Sequence, residues 1–84
     1  MYEIVVARSA EKDLKKIAAD VRPKLVAAIR LLAVDPRPSG CRRLVGSAND
    51  WRIRVGDYRV IYEIADEVRI VRIMKIRHRK DSYR

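Results

Sequence analysis

The residues with the most chemistry in this chain are arginines at two-residue spacing. Arg52 and Arg54 alternate with Ile53 and Val55, and Arg59 follows just past Gly56-Asp57. A guanidinium grips phosphate through two parallel N–H donors and stays charged at any relevant pH. It is a poor general base, because its pKa lies above about 12. A second group closes the chain: His78-Arg79-Lys80-Asp81-Ser82-Tyr83-Arg84. His78 is the only histidine, which excludes an acid/base pair of two histidines. It is open to a role as acid, base or phosphate contact, or as a plain strand-end residue. Cys41 is the only cysteine, so no internal disulfide forms. A nucleophilic thiol needs a partnered base, and nothing in the sequence supplies one. One Cys and one His do not make a standard zinc site. The sequence has no glycine-rich phosphate loop.

Whether the arginines converge depends on the turn between them. If Gly56-Asp57 is a two-residue hairpin turn, Val55 pairs with Tyr58, Arg54 with Arg59, Ile53 with Val60, and Arg52 with Ile61. Paired residues share a face and successive residues alternate. Arg52, Arg54 and Arg59 then lie on one face. Trp51, Ile53, Val55, Val60 and Tyr62 lie on the other, against the rest of the fold. Arg54 opposite Arg59 is unfavourable for folding, because like charges repel across a strand pair. A bound anion would compensate; the competing reading is a solvated outer face.

Helices and strands must position that hairpin. Tyr2 to Ala7 reads as a strand. Ser9 reads as a helix N-cap with Glu11 in the first turn. Ala10, Leu14, Ile17 and Ala18 fall on one helical face. Asp20 reads as the cap of a second helix, with Pro23 tolerated in its first turn. Leu25, Val26, Ile29, Leu32 and Ala33 form that helix's apolar side. Asp35-Pro36-Arg37-Pro38-Ser39-Gly40 breaks the chain. A polar connection runs from Arg42 to Asp50, with a short turn around Leu44 to Gly46. Strands follow over Trp51 to Val55, Tyr58 to Ala65 and Val68 to Ile76, with a turn at Asp66-Glu67. The expected fold is α+β: a two-helix hairpin on a mostly antiparallel four-stranded sheet, in the order β-α-α-β-β-β.

Length and charge narrow the class. The 84 residues make one domain, residues 1–84. With no Phe, the core must be built from Val, Ile, Leu and Ala. The net charge is +9, from 20 Lys and Arg against 11 Asp and Glu. Such an excess favours nucleic acid, ribosome or an acidic protein segment as partner. No apolar run is long enough for a signal peptide or a membrane span, and the lone cysteine suits a reducing compartment. A cytoplasmic protein is expected.

Three stretches together resemble the RelE/ParE toxins: Leu44-Val45-Gly46, Trp51 to Tyr62 (W-R-I-R-V-G-D-Y-R-V-I-Y), and His78 to Arg84 (H-R-K-D-S-Y-R). The resemblance spans essentially the whole chain. It implies a four-stranded sheet against two helices, a basic concave cleft, and an antitoxin that wraps the toxin. RelE-like members enter the ribosomal A site and cleave messenger RNA. ParE-like members share the fold, inhibit DNA gyrase, and generally lack the nuclease residue set. Here Arg59 matches the arginine of the Y-R-hydrophobic-hydrophobic-Y strand, Arg79 the basic residue of the tail, and Tyr83 the C-terminal tyrosine. Arg52 and Arg54 stand where the best-known RelE-type enzyme often has lysine, so a proton-taking lysine is absent there.

What the resemblance implies is a metal-free, cofactor-free endoribonuclease acting in a toxin–antitoxin hetero-oligomer. The RNA's own 2′-hydroxyl attacks the phosphorus and leaves a 2′,3′-cyclic phosphate. Arg54 and Arg59 suit the phosphorane charge, and Arg79 the leaving oxygen. Tyr83 suits proton removal, if guanidiniums lower its pKa, or base stacking. Arg43, Arg52, Lys75, His78 and Lys80 are expected to contact RNA. The expected partners are messenger RNA, the ribosome and a RelB-like antitoxin with an acidic segment. The alternative is a non-nuclease gyrase poison. A third reading is a basic binding module, or a degenerate toxin whose main partner is the antitoxin.

Overall fold

The computed structural model describes residues 1–80. Its elements are β1 (Glu3–Val6), α1 (Arg8–Lys16), α2 (Arg22–Leu31), β2 (Arg42–Arg43), β3 (Asp50–Val55), β4 (Tyr58–Ala65) and β5 (Ile70–His78). They form one five-stranded sheet in the order β1-β5-β4-β3-β2. The two helices and the α+β class are as expected. The sheet has one strand more, because Arg42 and Arg43 add a two-residue strand to the edge of β3. β1 runs parallel to β5, and the other pairs are antiparallel.

Alternation in β4 places Val60, Tyr62 and Ile64 in the core. α1 contributes Ala10 and α2 contributes Leu25 and Ile29, with Ile17 and Leu32 just past the helix ends. α1 packs on β5, while α2 reaches β3. Leu14 and Val26 are half-buried, and Ala18 is exposed because α1 has already ended. Among the described residues Tyr62 is the one aromatic that is fully buried. Burial pushes its phenol's pKa up, so it stays protonated and donates to the Pro36 carbonyl at 2.7 Å. This bond pins the Pro-rich connector across the sheet.

β5 contains the decisive irregularity. Ile61 pairs with Lys75 but Tyr62 pairs with Ile73, so Met74 is an extra residue. Such a bulge reverses the alternation. Val71 and Ile73 point to the core, and beyond the bulge Ile76 does. Lys75 and Arg77 are thereby turned outward.

Two cap assignments differ from expectation. α1 is preceded by Ala7 in extended backbone with no side-chain cap bond. β1 ends opposite Ile73, leaving the next stretch of β5's edge without a strand partner. α1 covers it: Ser9 Oγ donates to the Met74 carbonyl at 2.6 Å, and Asp13 Oδ2 accepts from the Ile76 N–H at 2.9 Å. The hydroxyl expected to cap the helix is taken by the strand. α2 is preceded by Val21, not Asp20, again without a side-chain cap bond, and Pro23 sits in its first turn. Arg22 Nε closes the corner between the helices on the Ile17 carbonyl at 2.9 Å.

The last turn is longer than Asp66-Glu67. It runs from Asp66 to Arg69, with Arg69 at φ 55°, so β5 begins at Ile70. Among the described residues no helix is long and apolar enough to cross a membrane.

Candidate nucleic-acid interface

The Gly56-Asp57 turn is two residues long, with Gly56 at φ 59°, a conformation that glycine adopts without strain. The register follows: Val55 pairs with Tyr58, Arg54 with Arg59, Ile53 with Val60 and Arg52 with Ile61. Ile53 and Val60 are buried against the helices, so Arg52, Arg54 and Arg59 occupy the opposite, outer face.

Two rows of cations cross this outer face. The first is Arg54, Arg59 and Arg77, from β3, β4 and β5 in turn. The second is Arg42, Arg52, Ile61 and Lys75, from β2 to β5. The next row, Asp50, Glu63 and Arg72, is mixed in sign, so the basic field ends there. Arg59 is half-buried between its neighbours, while Arg54, Arg77 and Lys75 are exposed.

At the turn end of the first row, Arg54, Gly56, Asp57, Tyr58, Arg59 and Arg79 line a small cleft of about 90 Å³. The chain leaves β5 at His78 and brings Arg79 over the turn. Its N–H donates to the Asp57 carbonyl at 2.7 Å, and its Nε lies 3.8 Å from the Asp57 carboxylate. That ion pair is exposed and weak. A second cleft, of about 310 Å³, is lined by Gly40, Arg42, Arg52 and Arg54. Both clefts are open, polar and shared by Arg54. They suit an anion held by guanidiniums.

The structure therefore brings together Arg52, Arg54, Arg59, Arg79 and Lys75. It does not bring Arg43 or His78 to this face. Arg43 pairs with Trp51, whose ring lies on the helix side. His78 pairs with Tyr58 and meets its ring edge-on at 5.1 Å. It lines another cleft, of about 270 Å³ on the α1 side, with Asp13, Lys16, Ile17, Tyr58 and Arg77. Its Nδ1 accepts the Lys80 N–H at 3.2 Å. Lys80 is exposed just past β5. Tyr83 lies outside the described residues. Arg42 and Arg77 belong to the basic face and were missed from sequence. For Arg77 the signal was available: Val71, Ile73 and Ile76 can all be core residues only if β5 is bulged, and the bulge turns Arg77 outward.

The connector is held behind the interface by a polar cluster. Arg37 donates to both Asp66 carboxylate oxygens, at 3.2 and 2.8 Å, and Tyr2 donates to Asp66 at 2.6 Å. Arg37 first, then Tyr2, holds the Asp66 carboxyl down at about 2. Any stability from this shift is present above the ordinary carboxyl value and lost as pH falls toward 2. Arg37 also covers the Trp51 ring, 5.0 Å from its centroid. The cluster fixes the chain entering β2, and with it Arg42.

Residues 4–83 match the family described as ParE toxin of type II toxin–antitoxin system, parDE. The chain is 30% identical over 86 residues to a Methanocaldococcus jannaschii protein named, provisionally, toxin RelE1, covering 99% of this chain and 96% of that one. The fold is similar to a chain of the Mycobacterium tuberculosis toxin–antitoxin complex RelBE2, with TM-score 0.82 and 26% identity over 92% of this chain and 96% of that chain. It is equally similar to a chain of the Pyrococcus horikoshii RelE–RelB complex, with TM-score 0.82 and 24% identity over 93% and 94%.

Proposed function

The chain belongs to the family of ParE toxins of type II toxin–antitoxin systems, and within that family we propose for it a RelE-like role, that of an endoribonuclease that cuts messenger RNA. The observation that carries this reading is the cleft where Arg54, Arg59 and Arg79 converge. Cleavage by the RNA's own 2′-hydroxyl builds negative charge on a pentavalent phosphorus and on the departing 5′-oxygen. Fixed cations placed in advance around those oxygens lower the barrier. Arg59, held half-buried in the sheet while Arg54 and Arg79 are exposed, faces the phosphorane. Arg54 shares that charge. Arg79, set over the turn by Asp57, faces the leaving oxygen. Three arginines supply charge but no ready base. The proton from the 2′-hydroxyl falls to Tyr83, the tyrosine of the tail motif that resembles the RelE toxins. The products are a 2′,3′-cyclic phosphate and a 5′-hydroxyl, whose oxygen takes its proton from water beside Arg79.

The proposal includes partners. The relatives from M. tuberculosis and P. horikoshii are described in toxin–antitoxin complexes. We propose that this chain is likewise held by a cognate antitoxin, whose acidic segment is drawn to a +9 surface. The ribosome is the site where it meets message, and the cytoplasm its compartment.

The family carries the name ParE, and the gyrase inhibition that the ParE resemblance implies gives a second reading, a gyrase poison. Primer extension on a defined message, with and without ribosomes, separates the two when gyrase-cleaved DNA is scored in parallel. Discrete cuts in the message, with no trapped DNA, are expected. Intact message together with gyrase-linked DNA breaks would establish the second reading instead.

A further inference from the structure

The geometry points to a second phosphate subsite, formed by Gly40, Arg42 and Arg52 at the β2 edge, which holds the backbone phosphate next to the one being cleaved. The inference rests on the nucleic-acid reading of the basic face. It adds Arg42 to the interface and sets the length of RNA that the interface grips.

The two clefts meet at one arginine. Arg54 belongs to both: with Arg59 and Arg79 on one side, and with Gly40, Arg42 and Arg52 on the other. The two cation rows behind them are two residues apart along each strand. That step is about 6.7 Å, comparable with the span of one nucleotide in an extended strand. Anions held by the two rows would lie at about that interval. A single-stranded RNA backbone presents one with every nucleotide.

The boundaries agree with a footprint of two phosphates. Beyond the first row the sheet ends at the Gly56-Asp57 turn. Beyond the second row, Asp50 and Glu63 face one another on the same outer surface, with Arg72 only on the far side of Glu63, and the carboxylate pair disfavours a third phosphate along β3. Ile61, half-buried between Arg52 and Lys75, gives the second row an apolar floor for a ribose or base. Arg42 is exposed, and among the described residues no carboxylate forms an ion pair with it. Gly40, at φ 90°, leaves the entrance without a side chain.

Arg43 provides the control. It carries the same charge one residue away, but pairs with Trp51 and lies on the opposite face. The probe is a fluorescein-labelled single-stranded DNA octamer, which lacks the 2′-hydroxyl and so cannot be cut by the proposed route. Anisotropy titrations across a salt series read affinity and the number of phosphate contacts. Arg42→Ala should weaken binding about tenfold and reduce the slope of log affinity against log salt by about 0.7. Arg43→Ala should change both much less. Equal effects of the two variants would mean that only net charge matters, and would overturn the subsite. An Arg42→Ala variant that binds the octamer normally but loses its antitoxin would also overturn it, assigning the row to the protein partner. Since the readout is binding, a wild type that cuts no RNA would sink the ribonuclease reading and leave this test intact.

Discussion

Arg59→Ala is expected to lower message cleavage by roughly a hundred- to thousandfold while the protein stays folded. Arg59 stands at the centre of the row Arg54, Arg59, Arg77. Its flanking strands hold it half-buried, which restricts the side chain before RNA arrives. Charge placed in advance costs no reorganisation during reaction, which is why one such contact carries so much of the rate. The fold should tolerate the loss. The side chain points away from the core, and its removal relieves repulsion from Arg54 on one side and Arg77 on the other. Cleavage rates and urea midpoints measured on the same preparation check both halves. Activity within a few-fold of wild type would remove Arg59 from the site. A large fall in the urea midpoint would make its role structural.

Tyr62→Ala should have the largest effect on stability, about 3–5 kcal/mol. Its ring is fully buried in the centre of the sheet, and its hydroxyl holds Pro36 in the connector. For a domain this small, such a loss approaches the whole margin of stability. Tyr62→Phe isolates the hydroxyl. The ring remains, but the Pro36 carbonyl loses its 2.7 Å donor. The expected cost is about 1–3 kcal/mol. Urea unfolding reads both variants. A Phe variant as stable as wild type would show that the carbonyl finds another partner and that the connector is held by Arg37 and Asp66 alone.

The legible part of the fold was what short-range rules decide. Gly56-Asp57 could form a two-residue turn, and that one fact sets the register from Val55–Tyr58 through Arg52–Ile61. The common face of Arg52, Arg54 and Arg59 follows from counting. The two amphipathic helices were legible for the same reason. What failed depended on contacts between distant segments. Ser9 looked like a cap until the uncovered edge of β5 claimed its hydroxyl. β2 is too short to leave a pattern, so Arg42 and Arg43 could not be assigned to faces, and the face of Arg43 came out opposite to that of Arg52. His78 was grouped with the arginines by its place in the tail motif. In space β5 continues through it, and its pairing with Tyr58 turns it toward α1. Charge density in the tail was visible in the sequence; the face that each charge occupies is set by the bulge at Met74.

The chemistry of the cut ends tests the ribonuclease reading most directly. The purified chain is incubated with a defined message on ribosomes, and the termini of the fragments are identified by mass spectrometry. Attack by the 2′-hydroxyl predicts a 2′,3′-cyclic phosphate on the upstream fragment and a 5′-hydroxyl on the downstream one. A 2′-deoxy nucleotide at the cut position should abolish cleavage there. Fragments ending in 3′-hydroxyl and 5′-phosphate would contradict the mechanism, and a message left intact under these conditions would contradict the function.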